Sequence, residues 1–151
     1  MANEVGNQDL EPISDVSEGY KVISYLGSHL PPEFTNVIIA PFINSLRYGN
    51  DLFKLVDQDS YYKAYSKYIG LLLMRPKSVI KLALLNDKTV LGWSLYEDEI
   101  LHYVWVKKEV RRQGIARALL PMKFTSISHI TNKGLNIWVN KFPEVRFNPF
   151  V

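Results

Sequence analysis

The sequence predicts a mixed α/β (α+β) domain built on a mostly antiparallel sheet. In the first half of the chain, apolar residues recur at intervals of three and four, which is the spacing of helices. From residue 78 onward, short apolar runs separated by polar turns replace that spacing, which is typical of antiparallel strands. The length of 151 residues is that of one domain, so we do not expect separate cofactor and substrate lobes.

The first half is expected to contain one strand and two helices. The apolar, β-branched run Tyr20–Leu26 predicts the strand. A helical region is predicted to open at Pro31 and Pro32 and to bend at Pro41, because proline suits the first turn of a helix but not its interior. A second helix is predicted over residues 60–74 and ends before Pro76.

The second half predicts a meander of strands, then a helix and a last strand. Val79–Leu85 and residues 90–96 form an expected hairpin, and Ile100–Val106 is the third strand of the meander. A helix is predicted after Gly114, with a kink at Pro121. The apolar run at residues 135–139 follows an Asn-Lys-Gly turn and is predicted as the fifth strand of the sheet.

The composition is that of a folded protein without cysteine chemistry. Apolar residues make up 47% of the chain and charged residues 22%, which excludes disorder throughout. The absence of cysteine excludes a disulfide framework, a cysteine-ligated metal and a thiol nucleophile. No apolar run approaches the length of a membrane span, and the acidic start lacks the pattern of a signal peptide. We therefore expect a soluble, cytoplasmic protein.

Charge divides the chain into an arm and a body. Residues 1–18 carry five acids and no Lys or Arg, and they predict a flexible acidic arm ahead of a single domain over residues 19–151. The remainder carries a net charge of +8, much of it within residues 107–123, and is expected to attract anions. Nucleic acid is the weaker prediction, because the basic residues cluster at one helix start instead of forming a stripe with exposed aromatics.

The segment over residues 104–120 carries the chemistry, because it predicts a strand, a basic turn, a glycine and a helix. The first N–H groups of a helix have no partner within it, so they suit the phosphate groups of a ligand. Gly114 and Ala116 let such a ligand approach the backbone, and Arg111 and Arg112 add positive charge. The alternative is an ordinary solvated helix start, which often shows a glycine and several bases.

The six residues Arg-Arg-Gln-Gly-Ile-Ala at positions 111–116 resemble the Gln/Arg-x-x-Gly-x-Gly/Ala signature of the GCN5-related N-acetyltransferase (GNAT) superfamily. The Val-x-Val of residues 104–106 is similar to that family's preceding strand, and the order of elements over residues 20–140 is similar to its layout. The resemblance implies a GNAT-like sheet with helices on both faces. It also implies that the fourth and fifth strands, here Ile100–Val106 and residues 135–139, splay apart.

The resemblance implies that the chain binds acetyl-CoA as the acyl donor. In the family, backbone N–H groups of the signature hold the pyrophosphate, and the edge of the preceding strand pairs with the pantetheine amides. The implied reaction is direct transfer of the acetyl group to an amine of a small molecule or a protein, which needs no cysteine. The residues that match cofactor-binding positions are Val104, Trp105, Val106, Arg111, Arg112, Gln113, Gly114, Ile115, Ala116 and Arg117.

His102 is the candidate general base. An amine like that of lysine is protonated near pH 7, so direct transfer needs a group that accepts its proton. His102 lies within a predicted strand, and some GNAT enzymes that acetylate amines carry a histidine at the matching position. The alternative is a structural histidine that is half-buried and hydrogen-bonded. Glu97 and Glu99, in the turn before that strand, are second candidates.

The acceptor side gives a weaker signal. A polar, glycine-containing break after the first helical region contains Arg47, Tyr48 and Asp51, and relatives often build a substrate wall there. Arg47 and Tyr48 are the candidate substrate-binding residues, and an ordinary capped helix junction is the alternative. His29 and His129 have no metal-ligand partner at a useful spacing, so no metal is expected.

The C-terminus departs from the family pattern, because the chain is shortened after the predicted fifth strand. Many relatives place a tyrosine in a helix there to protonate the departing CoA thiolate, whereas this chain has no tyrosine beyond Tyr103. Residues 141–151 are too apolar for a free tail. We expect them to cover the open sheet edge, either by packing back on it or by docking on a second copy in a homodimer or on another protein.

The end of the chain carries a second resemblance. Lys-Phe-Pro at residues 141–143 and Phe-Asn-Pro-Phe at residues 147–150 are similar to the endings of short proteins found in tailed-phage genomes, which implies the cytoplasm of a host. A non-catalytic GNAT-like domain, used for binding or as a phage structural protein, is therefore the alternative to an acetyltransferase.

Overall fold

In the part of the chain that the structure describes, six strands form one sheet in chain order from one edge to the other. The computed structural model of the protein describes residues 19–151, so the acidic arm predicted over residues 1–18 lies outside the described residues. The strands are β1 Tyr20–Leu26, β2 Val79–Leu85, β3 Thr89–Glu97, β4 Ile100–Val106, β5 Ser126–Ile127 and β6 Arg146–Phe147. Neighbours among β1 to β4 are antiparallel, whereas β5 runs parallel to β4 and β6 runs parallel to β5.

Among the described residues, five α-helices accompany the sheet, and their starts follow from local chemistry. They are α1 Pro32–Tyr48, α2 Asp51–Lys54, α3 Gln58–Leu73, α4 Ile115–Leu119 and α5 Asn132–Lys141. Pro32 occupies the first turn of α1, and Asp57 caps α3 by accepting a hydrogen bond from the Ser60 amide at 2.9 Å. Within residues 19–151, no helix combines the length and the apolar character that a bilayer crossing requires.

Two apolar layers lie on opposite faces of the sheet. Since side chains alternate along a strand, Leu82 faces one layer and its neighbour Ala83 faces the other. The first layer packs on α1 and α3 around Phe42, whose ring stacks on Tyr103 with 4.5 Å between the centroids. The second layer packs on α4 through Ile115. The predicted mixed, mostly antiparallel sheet with helices on both faces is therefore confirmed.

Most of the predicted elements are present. The strands predicted at Val79–Leu85 and Ile100–Val106 have those bounds in the structure, and the helix predicted over residues 60–74 is α3. The helix predicted after Gly114 is α4, and it ends at Leu119, two residues before Pro121. The proline therefore follows the helix instead of kinking it.

The strand predicted at residues 135–139 is wrong, because this segment is the middle of helix α5. Thr131 caps that helix by accepting a hydrogen bond from the Gly134 amide at 3.0 Å, so the glycine belongs to the first helical turn. Trp138 packs edge-on against Phe124 with 5.3 Å between the ring centroids. The fifth strand is instead β5, and both a helix and a sixth strand follow it.

The tail folds back onto the sheet. Strand β6 lies beside β5, with hydrogen bonds from the Arg146 amide to the Thr125 carbonyl and from the Asn148 amide to the Ile127 carbonyl, each at 2.9 Å. This is the first of the two arrangements predicted for residues 141–151, although the edge that it covers belongs to β5. Docking on a second copy stays a prediction.

Gly27 marks a close contact between the sheet and the helices. A Cβ atom at this position would overlap the backbone oxygen of Leu73, at the end of α3. Alanine must therefore push β1 away from α3, and we expect Gly27→Ala to lower the free energy of unfolding by about 1–3 kcal/mol, the usual cost of overpacking. Urea unfolding of the purified variant measures the change.

Gly70→Ala is the matched control for this substitution. A Cβ atom at Gly70, inside α3, meets no atom within 4 Å. We expect this variant to be as stable as the native protein or more stable by up to ~1 kcal/mol, because alanine favours a helix over glycine. A Gly27→Ala variant as stable as the Gly70→Ala variant would contradict the close packing of β1 on α3.

Candidate active site

The loop between β4 and α4 has the backbone geometry of a ligand cradle. Arg112 and Gly114 both adopt left-handed conformations, with φ of 65° and 82°, and together they turn the chain sharply. The side chain of Arg111 holds the loop against the strand end, because its Nε donates to the Val106 carbonyl at 2.8 Å. A Cβ atom on Gly114 would meet nothing within 4 Å, so the space above this glycine is open.

Backbone donors and positive charge surround that open space. The amide of Ala118 makes the first bond of α4, to the Gly114 carbonyl at 3.2 Å, so the amides of residues 115–117 have no carbonyl one turn back. Arg111, Arg112 and Arg117 are exposed around the loop. The side chain of Ile115 is buried in the second apolar layer and anchors the loop from below. The loop that the sequence predicts to bind the cofactor therefore presents backbone amides and arginine side chains around the same open space.

Strand β4 has a partner on one side only over most of its length. Its pairing with β5 joins Ile100 to Ser126 and Leu101 to Ile127, and no further β5 pair follows in the described chain. The segment of residues 103–106 stays paired with β3, and within it Val104, Trp105 and Val106 are partly exposed. The outer edge of this segment, which leads to the basic loop, is where the resemblance predicts the pantetheine.

His102 is buried, with no exposed surface, and both ring nitrogens are hydrogen-bonded. Its Nε2 lies 2.9 Å from Oε1 of Glu97, and its Nδ1 lies 2.7 Å from Oγ of Ser128. Burial lowers the pKa of His102, and the Glu97 carboxylate opposes that effect in part. Burial alone would raise the pKa of Glu97, but hydrogen bonds from Arg75 and His102 hold it below its usual value.

The two candidate acids of the hairpin have separate partners. Glu97 bonds Arg75 at 2.6 Å as well as His102, so it joins the histidine to the protein surface. Glu99 pairs with Lys123 at 2.9 Å, and its side chain is about half exposed. The structure therefore brings Glu97, rather than Glu99, to His102.

A cleft of about 370 Å³ lies between the helical layer and the folded-back tail. Aromatic side chains dominate its wall, and the C-terminal tail completes it. Its lining includes Phe53, Tyr65, Tyr68, His129, Phe147 and Pro149. A volume of this size suits a small molecule or a single side chain.

His129 is the functional candidate that the sequence did not single out. Its Nδ1 lies 2.8 Å from Oγ of Ser128, and its ring packs against Tyr68 with 5.4 Å between the centroids. Burial, with a smaller effect of His102, lowers the pKa of His129 to about 4. A prediction of strand β5 beside β4 would have indicated that His129 lies near His102, because His129 is two residues beyond the end of β5.

The two candidate substrate-binding residues have different surroundings. Arg47 is buried and donates to the carbonyls of Phe53 and Val56, each at 3.0 Å, so its guanidinium fastens the segment around α2 to the end of α1. Tyr48 is exposed and lines a shallow hollow with Trp105 of β4. Arg47 therefore stabilises the wall of the cleft, whereas Tyr48 faces solvent near the unpaired part of β4.

Comparison with solved structures identifies the class of fold. A candidate acetyl transferase from Pyrococcus furiosus matches with a TM-score of 0.51 and 16% sequence identity, over 85% of this chain and 80% of that one. A ribosomal-protein-alanine N-acetyltransferase from Brucella melitensis biovar Abortus 2308 matches with a TM-score of 0.44 and 13% identity, over 86% and 78% of the two chains. No family model and no curated protein matches the sequence. The chain has the GNAT fold.

Proposed function

We propose that this protein is an acyl-CoA-dependent N-acyltransferase that moves the acetyl group of acetyl-CoA to an amine. The observation that carries the proposal is the basic loop with left-handed Gly114, placed at the end of a strand whose outer edge has no paired strand beyond Leu101 among residues 19–151. A loop alone suits many anions, and a free strand edge alone suits many peptides. Their succession along one line suits a ligand that carries a pyrophosphate followed by amide groups.

The cofactor site is formed by backbone more than by side chains. The amides of Gln113, Gly114, Ile115 and Ala116 are proposed to hold the pyrophosphate, which the open space above Gly114 admits. Arg111, Arg112 and Arg117 supply positive charge, and the edge at Val104, Trp105 and Val106 receives the pantetheine amides. Acetyl-CoA supplies the activated thioester.

The aromatic cleft is the proposed acceptor site. An amine reaches it as an ammonium ion, and faces of aromatic rings such as those of Tyr65 and Tyr68 attract cations. The amine must lose one proton before it attacks and a second one after the C–N bond forms, so a base within the cleft wall is required. His102 and Glu97 lie behind that wall, joined to it by Ser128.

A second candidate function is a GNAT-like domain that binds CoA without catalysis, and the complete burial of His102, the base predicted from the sequence, favours it. In that case no group needs to protonate a thiolate, and the cleft would hold a ligand that does not react. The two functions share the cofactor loop and differ in turnover. Binding of CoA without transfer to any amine would therefore support the second function.

Thermal unfolding in the presence of CoA tests the proposed cofactor site. At about 100 times its dissociation constant, CoA is expected to add roughly 2.7 kcal/mol to the stability of the native protein. Gly114→Asn should remove this effect, because asparagine tolerates the left-handed backbone while its side chain fills the space above the loop.

Gly70→Asn is the control for that substitution, since it adds the same side chain at an open position on α3, remote from the loop in sequence and element. It should respond to CoA as the native protein does. Equal stabilisation of both variants by CoA would place the cofactor elsewhere, and no stabilisation of the native protein would remove the basis of the proposed function.

A further inference from the structure

Four side chains form one continuous line of hydrogen bonds from the protein surface to the cleft. They are Glu97 at the end of β3, His102 on β4, and Ser128 and His129 just beyond β5. The successive distances are 2.9 Å from Glu97 Oε1 to His102 Nε2, 2.7 Å from His102 Nδ1 to Ser128 Oγ, and 2.8 Å from Ser128 Oγ to His129 Nδ1. All three lie within hydrogen-bond distance.

The chemistry of Glu97 fixes the direction of every bond in this line. An ionised carboxylate only accepts, so Nε2 of His102 carries the hydrogen and donates to it. The ring is neutral, because burial opposes its charging, and its Nδ1 therefore accepts from the hydroxyl of Ser128. The Ser128 oxygen has then given its own hydrogen away and accepts one from Nδ1 of His129. Nε2 of His129 is left with a free lone pair.

Only the last member of the line faces the proposed acceptor site with its ring. His102 has no exposed surface, whereas His129 lines the cleft beside Tyr65 and Tyr68, the titratable groups that α3 places against it. In the described chain, the hydrogen bond to Ser128 is the one that its ring forms, through Nδ1. The base that an amine in the cleft would meet is therefore His129.

We propose that His129 is the catalytic base of acetyl transfer, and that Ser128, His102 and Glu97 are positioning residues that hold its tautomer and stabilise its charge. This inference rests on the proposed function. It assigns the histidine predicted from the sequence to a supporting role behind a second histidine. A histidine base is commonly held in one tautomer by a hydrogen bond at the ring nitrogen that does not take the proton, and here Ser128 makes that hydrogen bond to Nδ1 of His129.

The proposed step begins when the ammonium ion of the acceptor releases one proton to the solvent. The lone pair of the amine nitrogen then attacks the thioester carbon and forms the C–N bond. The nitrogen becomes acidic on bonding to that carbon, and its proton passes to Nε2 of His129. The C–S bond then breaks and the sulfur leaves with the electron pair. The proton on Nε2 of His129 passes to this sulfur through the solvent in the cleft. While His129 is charged, the hydrogens of the line shift toward the carboxylate of Glu97, which balances the charge.

The tautomers of the two histidines test the line directly. Long-range ¹H–¹⁵N NMR spectra of the full, uniformly ¹⁵N-labelled chain report which ring nitrogen carries the hydrogen. We expect it on Nε2 of His102 and on Nδ1 of His129, in the native protein without ligand. The opposite tautomer at either ring would overturn the proposal, whether or not the protein transfers acetyl groups.

Kinetics test the role of the line in the reaction. The probe is release of CoA thiol from acetyl-CoA with phenethylamine, a primary amine whose ring suits the aromatic cleft. We expect His129→Gln to lower kcat about 100-fold without changing KM for acetyl-CoA. His102→Gln should lower kcat by itself but cause no further loss in the His129→Gln variant, because it acts through His129.

His29→Gln is the control, since it makes the same substitution at an exposed histidine in the turn after β1, and it should keep the native rate. Fully additive losses for His102→Gln and His129→Gln, or a native rate for His129→Gln, would overturn the proposal. If the native protein does not acetylate phenethylamine, that result counts against the proposed function with this acceptor, and the tautomers decide the hydrogen-bonded line.

Discussion

Deletion of residues 142–151 is expected to destabilise the protein by at least about 2 kcal/mol and to cause aggregation. It removes β6 and leaves the edge of β5 without a partner. It also removes Phe142, whose ring packs on Trp138 with 4.6 Å between the centroids, and opens one wall of the aromatic cleft. Thermal unfolding and light scattering of the truncated chain measure both effects.

A shorter deletion separates the tail's structural role from a general effect of its length. Removing only Phe150 and Val151 spares β6 and takes away a phenylalanine that is almost fully exposed. This variant is expected to have the same oligomeric state and the same melting temperature as the native protein. If the longer deletion behaves in the same way, the folded-back tail is dispensable. If removal of Phe150 and Val151 is already enough to change the oligomeric state, the exposed Phe150 mediates the association predicted for a homodimer.

Acid is expected to destabilise the protein steeply between pH 6.5 and pH 4. The pKa of His129 is lowered to about 4 in the folded chain, whereas an unfolded histidine titrates near 6.5. In this interval the unfolded state binds a proton that the folded state does not, so stability falls as the pH falls. The full difference for this residue is about 3 kcal/mol. The lowered pKa values of His102 and Glu97 act in the same direction.

Urea unfolding at pH 7, pH 5.5 and pH 4 measures this dependence. His129→Gln should reduce the loss of stability between pH 6.5 and pH 4, because glutamine does not titrate. His29→Gln, the same substitution at an exposed histidine, is the control for the change of side chain itself. The same loss in the His129→Gln variant as in the native chain would show that the cleft histidine is not held neutral by burial.

The reliable part of the sequence prediction is the meander. Strands β2 and β4 follow apolar runs with polar turns on both sides, and that pattern leaves one assignment. Residues 135–139 carry the same apolar composition, yet they form a helix. The deciding contacts are the Thr131 cap and the packing of Trp138 on two aromatic rings. Phe142 lies one helical turn from Trp138, whereas Phe124 lies outside the helix, before strand β5. Composition alone does not contain that information.

The candidate site divides along the same line. The loop at Gly114 was predictable, because a left-handed position at a helix start favours glycine and leaves a local signature. The place of His102 within a strand was predictable as well. Ser128 and His129 were not, since they reach His102 only through the parallel pairing of β5 with β4. A strand of two residues is too short to show a pattern of its own.

Because β5 and β6 are short, the described domain has a part with extensive strand pairing and a part with little strand pairing. Four long antiparallel strands lead into the proposed cofactor loop, whereas β5 and β6 have two residues each, and no residue of α5 is fully buried. We therefore expect the C-terminal segment to be a separate unit of local unfolding that opens at a lower free energy than the rest of the described domain. Since this segment carries Ser128, His129 and one wall of the cleft, each such opening is expected to dismantle the proposed acceptor site and to leave the proposed cofactor loop intact. In the proposed reaction, an acceptor would therefore enter or leave while the acyl donor stays bound.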